Sequence, residues 1–470
     1  MLIAEDVKWA IANIKYRSTG YSLYSDYYKG KHEIVFSSES YEELFCKIFK
    51  DFRENLCGTI VDTVNDKLVL QCVLPSPSPL DFSTIGDDQL QEYQPEEPDI
   101  RTRLTFEAIW KLNRLDALSI QVHKEALKNG DAYLFVWPDD NGFPRFHFNP
   151  ASLVTVRYSE DSPGTIEMGA KVWKIQKRIR LNLYYPDRVE KYITTRESYD
   201  RIGIGEAQQI NVTEFQPWTE DGDSGVVPNP WGIIPIFHFA NGAEPGQFGI
   251  SELKDVIPIQ RALNKTIVDM LVGSEYQALP QRYALGIEVA IDPETGKMKP
   301  LFQTDTSRLW FSSNPDVKFG QFDGANIAQF VTVQDSFRMA ASRVSAVPPH
   351  YFNFGTGGWP SGEALKTAET RLTAKTINRQ VFFGNTWEDA FAFAGLIFLK
   401  KAMYCTSQWL NTSPQNEKEQ AETSLLYKQI GVSNATLQER HNFDPDREKE
   451  RKADEADTLV NDFASAFNRE

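Results

Sequence analysis

Two long apolar stripes at helical spacing, separated by a stretch dense in proline and glycine, constrain this chain more than any other feature. The first lies at 251–279, where Leu253, Val256, Ile257, Leu263, Ile267, Met270 and Leu271 fall on one side of a helix. At 1.5 Å per residue that helix would extend roughly 40 Å. Pro258 either kinks it or sets its true start, because a proline inside a helix removes a hydrogen bond and clashes with the preceding turn. The second stripe, at 325–347, places Ile327, Phe330, Val333, Phe337, Ala341 and Val344 on one face and halts at Pro348-Pro349. Residues 280–324 between them read as strand and loop. The two stripes can be buried only against each other and against neighbours, and head-to-tail contacts that close on themselves make a cyclic oligomer.

The rest of the chain alternates in texture, which makes the fold class α+β. The segment up to about residue 75 reads as helical, with Tyr41, Leu44, Phe45, Ile48 and Phe49 at helical spacing and a further helix over 56–70. Pro75-Ser-Pro-Ser-Pro79 is a linker, and a helical pattern over 110–128 stops at Asn129-Gly130. From 131 to 239 short strand-like runs (132–137, 172–175, 179–185, 189–194) are divided by Asp139-Asp-Asn-Gly142 and Tyr185-Pro-Asp187, which have hairpin chemistry. A Gly and aromatic loop around 350–360 then opens a long helix expected over 361–409, and the tail from 421 is helical again, with a mixed-charge run at 444–457 that suits a solvated helix.

At 470 residues and 41% hydrophobic content the chain has enough apolar material for more than one core. Cys46, Cys57, Cys72 and Cys405 have no metal-ligand spacing and are too few for a disulfide framework, which fits a reducing cytoplasm. Glu5 and Asp6 stand where a secretion signal would carry basic residues. The longest apolar run, 390–399, is half what a membrane span requires and reads as a buried helix ending at Lys400 and Lys401. Fifty Lys plus Arg against 65 Asp plus Glu leave a net charge of −15, which argues against tight, static wrapping of nucleic acid and is accounted for by the ordinary solubility of a cytoplasmic protein.

No catalytic constellation is visible. His32, His123, His147, His238, His350 and His441 are scattered without metal-binding spacing, and no serine sits in a nucleophile-elbow context. Gly203-Ile-Gly205 reads as a turn, with Gln208 where a dinucleotide fingerprint needs its third glycine, and Gly355-Thr-Gly-Gly358 lacks the lysine that would grip a nucleotide. No enzyme activity, cofactor, metal, membrane or small-molecule substrate is expected.

Several ordered words carry a resemblance. Tyr27-Tyr28-Lys29-Gly30 with Asn55-Leu56 and 60–64, then Phe248-Gly-Ile-Ser-Glu-Leu253 with Gln260, Leu263, Asn264 and Lys265, then Pro360-Ser-Gly-Glu-Ala-Leu365, and last Ile430-Gly-Val-Ser433 with Thr436, stand in the order found in portal proteins of tailed double-stranded DNA bacteriophages. The chain resembles the SPP1-like portal family. The resemblance implies a mainly helical portal fold with β-rich parts: a wing over 1–250 and 363–420 (its β-rich module at 131–239), a first stem helix at 251–279, a clip at 280–324, a second stem helix at 325–347, a tunnel loop at 348–362 and a crown at 421–470.

It further implies a dodecameric ring at a unique capsid vertex of the virion, assembled in the host bacterial cytoplasm. Double-stranded DNA would pass through it without sequence specificity during packaging and ejection. Its partners would be the terminase motor docking at the clip, the major capsid and scaffold proteins, and a head-completion adaptor. In the tunnel loop Phe352, Asn353, Phe354, Thr356 and Trp359 would face DNA, the competing reading being that the aromatics pack the loop on the wing. Leu263, Ile267, Leu271, Phe330, Val333, Phe337 and Val344 would pack the stem subunits. Lys254, Lys265, Arg338 and Arg343 would face the lumen or pair across subunits with Asp255, Asp269, Glu275 and Asp335. The alternatives are another virion component, such as a tail connector or capsid subunit, and a phage nuclease.

Overall fold

The computed structural model describes residues 5–33, 52–76, 98–195, 210–219, 222, 224–278, 282–286, 315–322, 326–352, 361–412 and 417–434, with the single positions 437, 449 and 452. It is α+β, as its sequence texture indicates, and divides into one unit over Met1–Thr412 and another over Ser413–Glu470.

In the larger unit, helices α1 (Glu5–Tyr28), α2 (Leu56–Asp66), α3 (Ile100–Leu112) and α4 (Leu115–Asn129) precede a β-rich stretch. Strand β1 (Leu70–Ser76) lies where the sequence suggested the end of a helix. Val73 and Leu70 point inward from it, and its partner is β13 (Tyr404–Trp409), with Pro75 opposite Cys405. The pattern over 110–128 is likewise two helices. Asn113 donates its amide to Pro144 O (3.0 Å) and accepts from Phe146 N (3.2 Å), so a neighbouring strand captures the residue where one continuous helix would have run, and Arg114 turns at φ 52°.

Strands β2 (Asp131–Pro138), β3 (Pro144–Pro150) and β10 (Ile236–Ala240) form an antiparallel sheet in the order β10-β2-β3. Strands β4 (Val154–Tyr158), β5 (Ile166–Ile175), β6 (Arg178–Tyr184), β7 (Arg188–Thr194) and β8 (Phe215–Pro217) form a second sheet in sequence order, with β9 (Val226–Pro228) on β7. The Asp139 turn is built as its residues predict, with Asp139 Oδ1 accepting from Asn141 N and Phe143 N, both at 3.0 Å. One face of the larger sheet buries Met168, Ala170, Val172, Ile179, Leu181 and Leu183 under Val7, Ala10, Ile11 and Ile14 of α1. Its other face packs Val154, Val156, Tyr184 and Val189 against Phe135, Ile234 and Ile236.

The main core gathers α2–α4, β2 and the helices over Ile257–Ala278 and Thr370–Leu399 around Trp387, Phe383, Phe391, Phe106 and Phe239, all fully buried. Burying side chains of this size stabilises by about 1.5–3 kcal/mol each. Helix α5 (Ile257–Ala278) starts at the predicted proline: Pro258 lies in its first turn, where no intrahelical bond is lost. Strands β11 (Arg282–Leu285) and β12 (Lys318–Gln321) then pair, and α6 (Ile327–Ser345) returns. Met270 Sδ accepts from Gln334 Nε2 at 3.4 Å, and Gly273 faces Phe330, so α5 and α6 run antiparallel. The expected helix over 361–409 is instead α7 (Gly362–Ala368), α8 (Thr370–Leu399) and strand β13. Lys400, at φ 57°, ends α8 where the apolar run stops.

In the smaller unit α9 (Glu417–Gln429) ends at Gly431, φ 98°, with Val432 N donating to Tyr427 O at 3.0 Å.

Candidate functional site: the stem and the foot of the loop

The word Phe248-Gly-Ile-Ser-Glu-Leu253 has a physical function at nearly every position. Phe248 stacks under the Arg17 guanidinium, 3.6 Å from its ring centre. Arg17 in turn pairs with buried Asp131 at 2.6 Å. Asp131 also accepts from Tyr21 (2.6 Å), from His238 Nε2 (2.8 Å) and from Gly249 N (2.7 Å), and Tyr158 donates to His238 Nδ1 at 2.6 Å. Burial alone would raise the Asp131 carboxyl, but the hydrogen bonds from His238 and Tyr21 and the charge of Arg17 outweigh it and hold it below the usual range. Gly249 meets backbone: a Cβ there would lie 1.9 Å from Gly130 O. Ser251 donates to Lys128 O at 2.5 Å and accepts from Leu253 N at 3.0 Å, turning the chain into α5.

Glu252 is the buried junction of the site. Its carboxylate takes Lys375 Nζ, Arg379 Nη2 (3.0 Å) and Asn241 Nδ2 (3.1 Å). Burial pushes its pKa up, but Lys375 and Arg379 bring it below its ordinary value. Lys375 also donates to Ser345 O at 2.7 Å, and Arg371 donates to Arg343 O at 2.9 Å, so two cations of α8 satisfy the orphan carbonyls at the end of α6.

A second junction ties both stem helices to residue 54. Glu54 N donates to Asn264 Oδ1 (3.1 Å), Glu54 O accepts from Gln260 Nε2 (2.7 Å), and its carboxylate is held by Arg338. Gln260 Oε1 also accepts from Leu56 N at 2.8 Å, and Asn264 Nδ2 donates to His32 Nδ1 at 2.7 Å. Asn264 and Gln260 of the family-like word are therefore the buried amides that lash α5 to the start of α2.

The residues expected to pack stem subunits divide into two groups. Leu263 and Ile267 are buried in this chain's own main core, and Leu271 and Phe337 pack partly against it. Phe330 is half-buried on the α5–α6 contact. Val333 and Val344 are exposed at the edge of the stripe that Phe330 and Phe337 partly bury, whereas Val331 and Met339 are exposed on another side of α6 among Gln329, Thr332 and Ser336. Of the charges, Lys265 bonds Asp269 in the next turn of its own helix (2.5 Å), and Arg338 bonds Asp335 (2.7 Å) as well as Glu54. The expected cross-subunit acceptors Asp269 and Asp335 are thus engaged within the chain. Lys254 and Arg343 are exposed.

Of the expected DNA-facing residues, Phe352 is half-buried and packs against the main core, in line with the packing alternative for that ring. Asn353, Phe354, Thr356 and Trp359 lie outside the described residues. The approach to the loop is well built. Ser342 Oγ donates to Val347 O at 2.7 Å, Ala346 turns at φ 61°, and a single turn follows at Pro349–Tyr351. Tyr351 OH donates to Glu369 Oε1 at 3.2 Å, and Lys67 Nζ donates to Glu369 Oε2 at 2.8 Å and to Thr412 O at 3.3 Å. Among the described residues no group of three or more His, Cys, Asp or Glu could hold a metal ion, and no helix is long and apolar enough to cross a membrane.

Glu54, Glu252, Glu369, Lys67 and Lys375 were missed by sequence reasoning. Each acts through a partner more than 100 positions away, and no local pattern marks such a pair.

Comparison with known families decides what this geometry belongs to. The family model described as phage portal protein, SPP1 Gp6-like, matches residues 82–461. The chain belongs to this portal family. Among curated relatives, the portal proteins of Mycobacterium phages L5 and D29 are each 23% identical over 291 residues, covering 61% of this chain. The matched region is 57% of each relative's length. Among solved structures, a chain from the neck of a native GTA particle computed with C12 symmetry aligns with a TM-score of 0.43 and 13% identity, over 88% of this chain and 96% of that one. A chain from the neck of the empty GTA particle computed with C6 symmetry aligns with a TM-score of 0.41 and 12% identity at the same coverage.

Proposed function

We propose that this chain is the portal subunit of a tailed phage: twelve copies close into a ring at one capsid vertex, and double-stranded DNA passes along the channel during packaging and ejection. The observation that carries this reading is the edge of the α6 stripe, where Val333 and Val344 stay exposed beside the partly buried Phe330 and Phe337. An apolar helix edge left uncovered within one subunit is suited to burial against a neighbouring copy. Family membership supports the same reading. The net charge of −15 favours weak wall contacts, which let DNA slide. Terminase docks at β11–β12 and supplies the energy, capsid and scaffold proteins surround the wing, and a head-completion adaptor follows packaging. The subunit itself performs no catalysis. The tunnel-loop residues Asn353, Phe354, Thr356 and Trp359 face the DNA and touch phosphates or the groove without base readout.

Negative-stain electron microscopy of the purified protein tests the proposal. Class averages should show closed rings with a central channel wide enough for a DNA duplex. A stable monomer across salt and protein concentration, unchanged by added scaffold protein, would favour a different virion component.

A further inference from the structure

We infer that Glu369 is a positioning residue: its carboxylate hangs the chain that crosses from α6 to α8 on the corner formed by α2 and β1. The inference rests on the portal reading only for what the crossing chain does, since the clasp itself is argued from contacts within one subunit.

The two carboxylate oxygens are divided between the two sides of the junction. Oε2 takes Lys67, the residue that closes α2, at 2.8 Å. Oε1 takes the hydroxyl of Tyr351, the last residue of the turn before the loop, at 3.2 Å, with His350 Nε2 at 3.7 Å. Lys67 is in turn fixed to Thr412 O, just past β13. The Glu369 side chain is 12% exposed and that of Lys67 18%, so water competes poorly for these bonds. Burial and the Glu369 charge push the Tyr351 hydroxyl up to about 12, so it remains a donor at neutral pH.

Between the two feet, α7 has no buried residue, so the Tyr351–Glu369 bond is a side-chain link across the base of the crossing chain. Just beyond it, Arg371 and Lys375 bond the terminal carbonyls of α6. The end of α6 and the start of α8 are therefore stitched together, and Tyr351 with Glu369 adds a clasp just outside that seam. A carboxylate is required because both oxygens must accept. Glutamine has the same shape but offers a single acceptor, and its amide would face a donor.

The test uses the full-length protein as Glu369→Gln, Tyr351→Phe and the double variant, with amide hydrogen exchange read by mass spectrometry. Residues 346–352 and 361–368 should exchange roughly fivefold faster in either single variant, as expected for the net loss of one hydrogen bond. The double variant should exchange no faster than Glu369→Gln alone, because both changes remove the same bond. Exchange in 257–345 should stay at the wild-type rate. Wild-type exchange in both single variants would overturn the inference, and so would a rise spread evenly over α5 and α6, which marks a general stabilising role. Tyr351→Phe decides alone if Glu369→Gln does not fold. In particles assembled with the Tyr351→Phe subunit, ring yield should match wild type while the DNA retained per filled particle falls. If wild-type rings hold no DNA, the portal reading fails, and the exchange result still decides the clasp.

Discussion

Arg338 grips Glu54 with two parallel hydrogen bonds, Nε to Oε1 at 2.9 Å and Nη2 to Oε2 at 2.7 Å, although the residues are 284 positions apart. Both are partly buried, and a planar guanidinium matches a carboxylate in a way an ammonium cannot. Arg338→Lys should therefore lower subunit stability by about 1 kcal/mol despite keeping the charge. Glu54→Ala should lower it further, because it also loosens the backbone segment that Gln260 and Asn264 hold. Denaturant titration of both variants checks the order.

The two groups of stem residues predict opposite phenotypes. Phe337 packs on the chain's own core, so Phe337→Ala should cost about 2 kcal/mol of subunit stability. Val333 is 44% exposed, so Val333→Asp should change subunit stability by less than about 0.5 kcal/mol. The same aspartate would put a charge into an apolar contact between copies and abolish rings. Thermal melting together with sedimentation velocity separates the two effects.

Gly249→Ala should be among the most damaging single-methyl changes in the chain. The added carbon would lie 1.9 Å from Gly130 O and 2.4 Å from Asn241 N, both backbone atoms that bond each other at 2.8 Å and cannot retreat independently. A loss above about 4 kcal/mol, seen as insoluble expression, is expected. Gly142→Ala is the control: its φ is 78° but nothing lies within 4 Å, so only the left-handed strain of about 1–2 kcal/mol applies.

His123 predicts an acid limit to stability. It is fully buried, donating Nδ1–H to Leu68 O at 3.2 Å and accepting from Trp387 Nε1 at 2.9 Å, and burial drops its pKa to about 3. In the unfolded chain the imidazole titrates near its ordinary 6.5, so between pH 6.5 and 3 the unfolded state binds the extra proton. Its contribution is complete above pH 6.5 and is lost by about 1.4 kcal/mol per pH unit as pH falls below that value. His123→Gln should be less stable at pH 7.5 yet show a shallower fall toward pH 4.5 in melting experiments.

Regular local patterns made the α+β texture, the helices α5 and α6, the Asp139 turn and the end of the apolar run at Lys400 legible in advance. Pro258 could be assigned one of two roles because a proline has one backbone angle and no N–H, and the first turn of a helix tolerates both. Strands β1 and β13 were read as helix because each is short and is stabilised by the other across more than 300 residues, a pairing with no local signature. The same limit explains the missed carboxylates. A periodic stripe says that Leu263 and Val333 are apolar, but not that one faces its own core and the other faces outward.

The long-range closure of β1 by β13 also has a consequence for synthesis. Lys67 emerges from the ribosome 302 residues before Glu369, and Leu70 waits for Trp409. The amino-terminal helices must persist half-wrapped, with apolar surface open, until most of the polypeptide has been made. Folding of so non-local a body is slow, and nascent chains released before residue 409 lack the strand that seals it. A polypeptide that stops short of residue 409 thereby keeps Leu70 and Val73 on a strand without its closing partner, and that open edge marks it as unfinished.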